Sequence, residues 1–345
     1  MRAPRGPLAG LLLLAGCGDK AGSDSDPAPA EPVCEAPGPL DDTLSLSAAQ
    51  ALGTHNSTHI EPENPLDPSW EYTMEPLSTQ LDALGVRQLE LDIHLHRELG
   101  FQVFHIPGVD AETVCLQLSD CLSEMKVWSD AHPCHLPLTV WIEPKDDIDA
   151  ATADYQPLSG QWGALEEALL GTWPRERILT PDDVRGDHET LAQAVAEAGW
   201  PTLAETRGRV LFALLDGGDY RDEYVAEHEG AEGALIFPRA TDPSQPYAAI
   251  YKLDDPFSNF DDIQARVTEG FLVTCTADSV GDPAEDNAAG LEKALSAGCQ
   301  SISTNAPAPN AIDGYSATVP SGAPARCNPL SAPEGCTPEA LEDLP

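Results

Sequence analysis

Basic residues are scarce in this 345-residue chain: 18 lysines and arginines stand against 58 aspartates and glutamates, and the formal net charge is −40. A nucleic-acid-binding protein needs a basic face to neutralise phosphates, so this deficit excludes nucleic acid as a partner. The sequence contains no internal repeat, and beyond its N-terminal apolar run no segment is apolar enough to cross a membrane. We interpret the acidity as a solvated surface, which by itself does not identify a metal site.

The N-terminus has the pattern of an export signal. Arg2 and Arg5 precede an apolar run over residues 8–15, which is too short to span a bilayer. The run leads into Leu-Ala-Gly before Cys17, the pattern of a bacterial lipobox. We therefore predict that residues 1–17 are a lipoprotein signal and that acyl chains on Cys17 anchor the exported protein in the outer membrane or at the cell surface. An ordinary signal peptide with a chance cysteine is the alternative.

Composition divides the rest of the chain into three parts. Residues 18–45 are rich in proline, alanine, serine and acids and bury too little apolar surface to fold alone, so we predict a disordered tether. The length of residues 46–310 suits one α/β barrel as well as it suits two small domains. Residues 311–345, rich in proline, serine and glycine, are predicted to be a tail held by a disulfide.

The cysteines other than Cys17 number eight, and in an exported protein we expect them to pair. None of their spacings is a convincing zinc pattern. Connectivity does not follow from sequence, but three pairs are close along the chain or in adjacent elements: Cys115 with Cys121, Cys275 with Cys299, and Cys327 with Cys336.

Short apolar or alternating runs recur with helical stretches between them, which is typical of βα units around a parallel sheet. Eight strands are predicted, so the expected fold is a single, somewhat irregular TIM-type (β/α)8 barrel. The irregularity is expected at residues 97–100, which suit a turn and not a crossover helix. The predicted strands cover residues 51–55, 87–94, 101–105, 138–143, 210–215, 234–237, 271–276 and 301–304. The predicted helices lie near residues 77–84, 114–128, 162–170, 189–198, 257–268 and 283–297.

In such a barrel the reactive groups lie at the carboxyl ends of the strands. The first predicted strand ends in a polar run that contains His55 and Asn56. A histidine can move a proton at neutral pH and an amide oxygen can bind a metal, although a polar loop has the same composition. Alternation in the second strand puts Glu90 and Asp92 on one face. Two carboxylates directed into one site favour a hard cation such as calcium between them.

Further candidates follow the next strands. His94 and His96 continue the parity of the two carboxylates, so a transition-metal site is the alternative to calcium. His105 ends the third predicted strand. Glu143 and Lys145 share one face at the end of the fourth, either as a metal ligand and a phosphate contact or as an ion pair at the barrel rim.

Four segments in order, GTHNSTH, QLDALGVRQLELDIH, FQVFH and LTVWIEPKDD, resemble the calcium-dependent phosphoinositide phospholipase C family over roughly residues 50 to 305. The resemblance implies a phosphodiesterase that cleaves phosphatidylinositol-type lipids. The inositol 2-hydroxyl would attack its own phosphodiester and release diacylglycerol and inositol cyclic phosphate. His55 would stabilise phosphoryl oxygens or share the base role, and His105 would protonate the leaving oxygen. The implied calcium ligands are Asn56, Glu90, Asp92 and Glu143, and the implied phosphate contacts are Lys145 and Lys252.

The chain departs from the family pattern twice. Residues 273–278 read VTCTAD where the family has a strand of the form VRTRAD, and residues 303–305 read STN where STD is expected. These departures indicate that head-group recognition is altered while the metal and acid–base residues are complete. They leave the exact phosphodiester open.

Two other functions remain as alternatives. A glycerophosphodiester phosphodiesterase has a similar Glu-x-Asp strand and metal, but its opening motif usually reads His-Arg-Gly, whereas His55 precedes asparagine and serine. The second alternative is a catalytically inactive, lipid-anchored binding protein with the same barrel fold. The product of hydrolysis, inositol cyclic phosphate or glycerol 3-phosphate, would distinguish the two enzymes.

Overall fold

The structure is a computed structural model that describes residues 31–145, 154–309 and 312–342. Eight parallel strands form a nearly closed barrel surrounded by helices, which confirms the expected TIM-type fold. The described strands, β1 to β11, are Ala49–Thr54, Gln88–His96, Gly100–Val103, Leu138–Pro144, Tyr155–Gln156, Val210–Leu214, Ile236–Pro238, Ile250–Lys252, Leu272–Thr276, Ser301–Thr304 and Ala325–Cys327. The described α-helices, α1 to α10, are Leu77–Asp82, Leu118–Ala131, Trp162–Leu170, Pro181–Arg185, Leu191–Glu197, Leu203–Thr206, Asp219–Glu227, Phe260–Thr268, Ala284–Ala297 and Pro338–Leu341.

The barrel strands follow the order β7, β6, β4, β2, β1, β10, β9 and β8. A parallel bridge between Arg239, directly after β7, and Ile250 of β8 joins the two ends of this order. Outside the ring, β3 and β5 pair antiparallel with β2, and β11 pairs antiparallel with β1. Because the eight ring strands are parallel, their carboxyl ends meet at one end of the barrel.

Strand β2 shows how the sequence forms this architecture. Leu89 and Leu91 are buried and belong to one apolar cluster with Leu81 of α1, so they pack between the sheet and its outer helices. Burial of each of these leucine side chains contributes about 2 kcal/mol. The alternating residues Glu90 and Asp92 therefore point to the opposite face, the barrel interior.

One of the eight predicted barrel strands is wrong. The segment that contains β3 turns back after residues 97–99 and pairs antiparallel with β2, so it extends the barrel rim as a hairpin. The turn predicted at residues 97–100 is confirmed. The eighth barrel strand is instead β8, whose three residues are too few to show a periodicity. The other seven predicted strands are confirmed with ends within two residues of those observed.

The folded region begins earlier than residue 46. Cys34 forms a disulfide with Cys134, Leu44 is completely buried, and the buried Asp41 carboxylate lies 2.6 Å from Nε of Arg207. The prediction of a disordered tether is therefore wrong for residues 34–45, because a covalent link and a buried ion pair replace the apolar area that the segment lacks. Residues 18–30 and Cys17 lie outside the described part of the chain.

The C-terminal segment closes the amino-terminal end of the barrel. Strand β11 pairs with the start of β1, and Glu342 makes a buried bidentate ion pair with Arg87, whose Nε lies 2.8 Å from Glu342 Oε2. The disulfide between Cys327 and Cys336 closes a loop within this segment. None of the helices within the described ranges is long and apolar enough to span a membrane.

All three guessed disulfides are present, Cys115–Cys121, Cys275–Cys299 and Cys327–Cys336. The fourth, Cys34–Cys134, joins residues 100 positions apart. Cross-linking a loop of that length stabilises the folded state by about 4.7 kcal/mol in the chain-entropy model.

The buried imidazole of His135, near the same end of the barrel, predicts a loss of stability in acid. Its Nε2 lies 2.6 Å from Ser129 Oγ, and burial lowers the pKa of His135 from 6.5 to about 4 although the Glu342 carboxylate opposes this. The pKa of His135 is lower in the folded protein than in the unfolded chain, so folding keeps the ring neutral. The resulting contribution to the free energy of unfolding is complete above pH 6.5 and is lost as the pH falls towards 4. Its full size is about 3 kcal/mol.

We expect the free energy of urea unfolding to fall between pH 7 and pH 4.5, and to fall less steeply in His135→Gln. Measuring both proteins against pH isolates the histidine from the carboxylates that titrate in the same range. Identical slopes would contradict this assignment.

Candidate active site

Three carboxylates from neighbouring strands converge inside the carboxyl end of the barrel. Glu90 and Asp92 come from β2, and Glu143 of β4 is the direct cross-strand partner of Asp92. One oxygen of each carboxylate lies within 4.8 Å of the others. Glu90 and Asp92 are buried, whereas 28% of the Glu143 side chain is exposed. The predicted acidic site is thus assembled at the expected end of the barrel.

The oxygens at this site fit a calcium ion. Asn56 Oδ1, Glu90 Oε1 and Asp92 Oδ1 are buried and have no hydrogen-bond partner among the described residues. Asn56 has a φ of 42°, a left-handed conformation that asparagine adopts more readily than most residues. Buried polar oxygens without partners are costly, and an all-oxygen set with carboxylates and one amide is typical of calcium ligands.

Two lysines offset part of the acidic charge. Lys252 Nζ lies 3.0 Å from Glu90 Oε2, and Lys145 Nζ lies 3.0 Å from Glu143 Oε1 and 3.6 Å from Asp92 Oδ1. Burial raises the pKa of Asp92 well above its usual range against the opposing charge of Lys145. Burial also opposes ionisation of Glu90, but Lys252 and the nearby His55 hold the pKa of that carboxyl below its usual value. The site therefore favours an added positive charge beside Asp92.

His55, directly after β1, lies beside this cluster. Its Nε2 is 3.7 Å from Glu90 Oε1, its Nδ1 is 2.9 Å from Asn305 Oδ1, and 39% of its side chain is exposed. The departure from STD to STN thus places an amide against a histidine of the site, where sequence alone suggested a change in head-group recognition.

His105 follows β3 and is held by a carboxylate. Its Nδ1 lies 2.6 Å from Asp110 Oδ2, and His59 Nε2 lies 2.9 Å from Asp110 Oδ1. Burial opposes ionisation of Asp110, but its hydrogen bonds with the two histidines hold the pKa of that carboxyl below its usual value. The backbone N–H of Phe104 donates to the Asp92 carbonyl at 3.1 Å, which brings the end of β3 to the acidic cluster. Asp110 could not be predicted from the sequence, because nothing in its spacing distinguishes it from other aspartates.

The two histidines of the transition-metal alternative bond the backbone instead. His94 Nε2 lies 2.9 Å from the Phe104 carbonyl, and its ring stacks on Phe104 with 4.0 Å between centroids. His96 Nδ1 accepts hydrogen bonds from the backbone N–H groups of Glu98 and Leu99 at 3.1 Å. These contacts favour the oxygen site over a site that uses His94 and His96.

The expected arginine positions of β9 are occupied by threonines with local partners. Thr274 Oγ1 accepts a hydrogen bond from Trp141 Nε1 at 3.1 Å, and Thr276 Oγ1 donates to Asp254 Oδ1 at 3.0 Å. Asp254 also lies 3.5 Å from Lys252 Nζ, so it adjoins the acidic cluster. A cleft of about 320 Å³ opens here, lined by Asp254, Asp255, Asp278, Asp282 and Asp286 and by no lysine or arginine of the described residues.

The fold recurs in solved bacterial enzymes. A Ca²⁺-dependent phosphatidylinositol-specific phospholipase C from Streptomyces antibioticus is 22% identical, with a TM-score of 0.55 over 76% of this chain and 95% of that one. A calcium-dependent phosphoinositol-specific phospholipase C from a Gram-negative Pseudomonas species is 18% identical in its myoinositol complex, with a TM-score of 0.57 over 81% of this chain and 96% of that one. At these identities the likeness concerns the fold alone. No curated protein matches the sequence.

The sequence itself matches the family described as "Phosphoinositide phospholipase C, Ca2+-dependent" over residues 94–329, more than half of the chain. The match begins after Glu90 and Asp92, so the structure and not the match places those two carboxylates. The predicted resemblance, the phosphoric diester hydrolase class and the calcium cofactor are confirmed at the level of the family. This chain belongs to the Ca²⁺-dependent phosphoinositide phospholipase C family.

Proposed function

We propose that this phospholipase C cleaves phosphatidylinositol by attack of the inositol 2-hydroxyl on its own phosphodiester, releasing diacylglycerol and inositol cyclic phosphate. The observation that carries this proposal is that three buried oxygens without a hydrogen-bond partner among the described residues, on Asn56, Glu90 and Asp92, meet His55 at one end of the barrel. These are the parts needed to hold a dication and to move a proton beside it.

Each histidine offers one ring nitrogen to the substrate. His55 Nδ1 is engaged by Asn305 and His105 Nδ1 by Asp110, so Nε2 of each ring is left for the reaction. We assign the base role to His55 and the acid role, towards the diacylglycerol oxygen, to His105. Calcium held by Asn56, Glu90, Asp92 and Glu143 would stabilise negative charge on the phosphoryl group and promote ionisation of the attacking hydroxyl.

The two lysines have different surroundings. Lys145 is 22% exposed at the rim of the site and can reach a bound phosphate. Lys252 is only 8% exposed and is paired with Glu90, so its charge acts on the phosphodiester through the cluster that it offsets. Lys145 is therefore the proposed phosphate contact, and Lys252, which the family resemblance also suggested as a phosphate contact, is proposed to act indirectly.

Hydrolysis of mixed phosphatidylinositol–phosphatidylcholine vesicles tests the proposal. With calcium we expect release of inositol cyclic phosphate, which a calcium chelator and His55→Ala should each abolish. His188→Ala, which removes a histidine whose Nδ1 bonds the Arg185 carbonyl between α4 and α5, is the matched control and should keep full activity. Release of glycerol 3-phosphate from glycerophosphodiesters, with phosphatidylinositol left intact, would support the alternative enzyme.

Ring phosphates on the inositol should impair cleavage. The cleft beside Thr276 carries five aspartates and no basic residue of the described chain, so phosphate groups would meet like charge there. We expect kcat/KM for phosphatidylinositol 4,5-bisphosphate to be at least roughly tenfold below that for phosphatidylinositol, with a smaller gap at high salt. Equal rates on the two lipids at low salt would contradict this expectation.

We also propose that acyl chains on Cys17 anchor the enzyme in the outer membrane or at the cell surface. The support is the basic start, the short apolar run and the small residues before Cys17. The segment between Cys17 and Cys34, where the disulfide to the barrel begins, would join the anchor to the enzyme. Labelled palmitate should appear on the protein and be absent from Cys17→Ser.

A further inference from the structure

Asn305 stands between His55 and a buried carboxylate. Its side-chain oxygen lies 2.9 Å from His55 Nδ1, and its side-chain nitrogen lies 3.3 Å from Asp278 Oδ1. The same Asp278 oxygen accepts the Asn305 backbone N–H at 2.8 Å. Asn305 and Asp278 are 8% and 7% exposed, so their polar groups depend on these contacts.

The donors around Asp278 determine which way the Asn305 amide faces. The Thr304 hydroxyl accepts the Ala306 backbone N–H at 3.0 Å and donates its own proton to Asp278 Oδ2. Asp278 therefore acts as an acceptor on both oxygens. An amide has one donor end and one acceptor end, so its NH₂ group must face Asp278 and its oxygen must face His55.

The facing oxygen determines which nitrogen of the neutral His55 ring carries the proton. An acceptor 2.9 Å from Nδ1 requires a proton on Nδ1, which leaves the Nε2 lone pair free. Nε2 is the nitrogen directed into the site, 3.7 Å from Glu90 Oε1. In this tautomer His55 can accept the proton of an attacking hydroxyl, and it cannot donate from Nε2 to a phosphoryl oxygen.

We propose that Asp278 and Asn305 are positioning residues that hold His55 in the tautomer required of a general base. The inference rests on the proposed function and deepens it, since it selects the base role for His55 over the stabilisation of phosphoryl oxygens. It also gives the change from STD to STN a physical role. The Asn305 amide, itself oriented by the Asp278 carboxylate, orients the His55 ring. Neither residue touches the substrate in this role.

The test combines histidine-selective ¹⁵N NMR with kinetics on the full chain. In the wild-type protein at pH 8 the His55 signals should be those of the Nδ1–H tautomer. Asn305→Ala removes the acceptor, so both tautomers should appear and kcat on phosphatidylinositol should fall by roughly 100-fold with KM nearly unchanged. Asn305→Asp restores an acceptor and should recover most of the Nδ1–H signal and of kcat.

Asn328→Ala is the matched control. Asn328 is also a buried asparagine, and its side chain bonds the backbone of Gly298 and Leu330, so its loss removes a buried amide without removing a partner of His55. It should leave the His55 tautomer and kcat unchanged. A wild-type His55 that carries its proton on Nε2, or an Asn305→Ala variant with wild-type kcat, would overturn the inference. If wild type failed to hydrolyse any phosphatidylinositol, the proposed function would fall while the NMR arm still decided the tautomer.

Discussion

Asp92→Asn is expected to weaken calcium binding by at least roughly 100-fold and to lower phosphatidylinositol hydrolysis by roughly 1,000-fold. The substitution keeps the shape of the side chain and removes one formal charge from a carboxylate whose Oδ1 has no hydrogen-bond partner among the described residues. Because the pKa of Asp92 is raised by burial, the charged carboxylate is disfavoured in the folded protein without a cation. Titration calorimetry with calcium measures the first effect, and vesicle hydrolysis measures the second.

The same variant should not lose thermal stability, and this separates a site effect from a folding defect. A buried group whose ionised form is disfavoured costs the folded state free energy, so a neutral amide of equal size should preserve the melting temperature or raise it in calcium-free buffer. Asp242 is an exposed aspartate bonded to Ser244, and Asp242→Asn serves as the control. It should change neither calcium affinity nor turnover. Wild-type calcium affinity in Asp92→Asn would remove Asp92 from the ligand set.

The strand β2 and the acidic site could both be predicted from the sequence, because one alternating pattern of residues specifies both. In β2 the alternation that buries Leu89 and Leu91 against the helices also directs Glu90 and Asp92 into the barrel, so one pattern predicted both the strand and the acidic site. Glu143 was predicted from its place at the end of the fourth strand, and the register of β2 with β4 brings it to Asp92.

The partners of the two proposed catalytic histidines could not be predicted in this way. Asn305 meets His55 across 250 residues, and Asp110, which follows His105 by five residues and bonds it, also meets His59 across 51. Such contacts depend on which loops share the barrel mouth and have no spacing to recognise. The change at Asn305 was visible in the sequence, but its role depends on the neighbour that the fold supplies.

The ends of the chain show a second reason for failure. Residues 34–45 have the composition of a disordered segment, yet the Cys34–Cys134 bond and the Asp41–Arg207 pair hold them on the barrel. Composition measures the apolar area available for burial, and it is insensitive to covalent links and buried ion pairs. Strand β8 was missed because three residues are too few to show a period.

His105→Ala should show that this histidine protonates the leaving group. Diacylglycerol leaves as a poor alkoxide unless it is protonated, so we expect the variant to lose roughly 1,000-fold on phosphatidylinositol. A nitrophenyl ester of inositol phosphate has a leaving group that departs as a stable anion. On that substrate the loss should be less than roughly tenfold, because no proton is required. Initial rates on both substrates, with calcium saturating, give the comparison.

His55→Ala is the matched control for this comparison, because a base acts on the attacking hydroxyl whichever group departs. It should impair both substrates to a similar extent. Asp110→Asn should repeat the His105 pattern more weakly, since the Asp110 carboxylate lies 2.6 Å from His105 Nδ1 and orients the ring that acts as the acid. Equal losses on the two substrates in His105→Ala would contradict the acid role and leave His105 as a phosphate contact. A loss in His105→Ala that is confined to the substrate with the poor leaving group would assign the acid step to His105 and leave the base step to His55. The two histidines would then have chemically different partners, an amide for the base and a carboxylate for the acid.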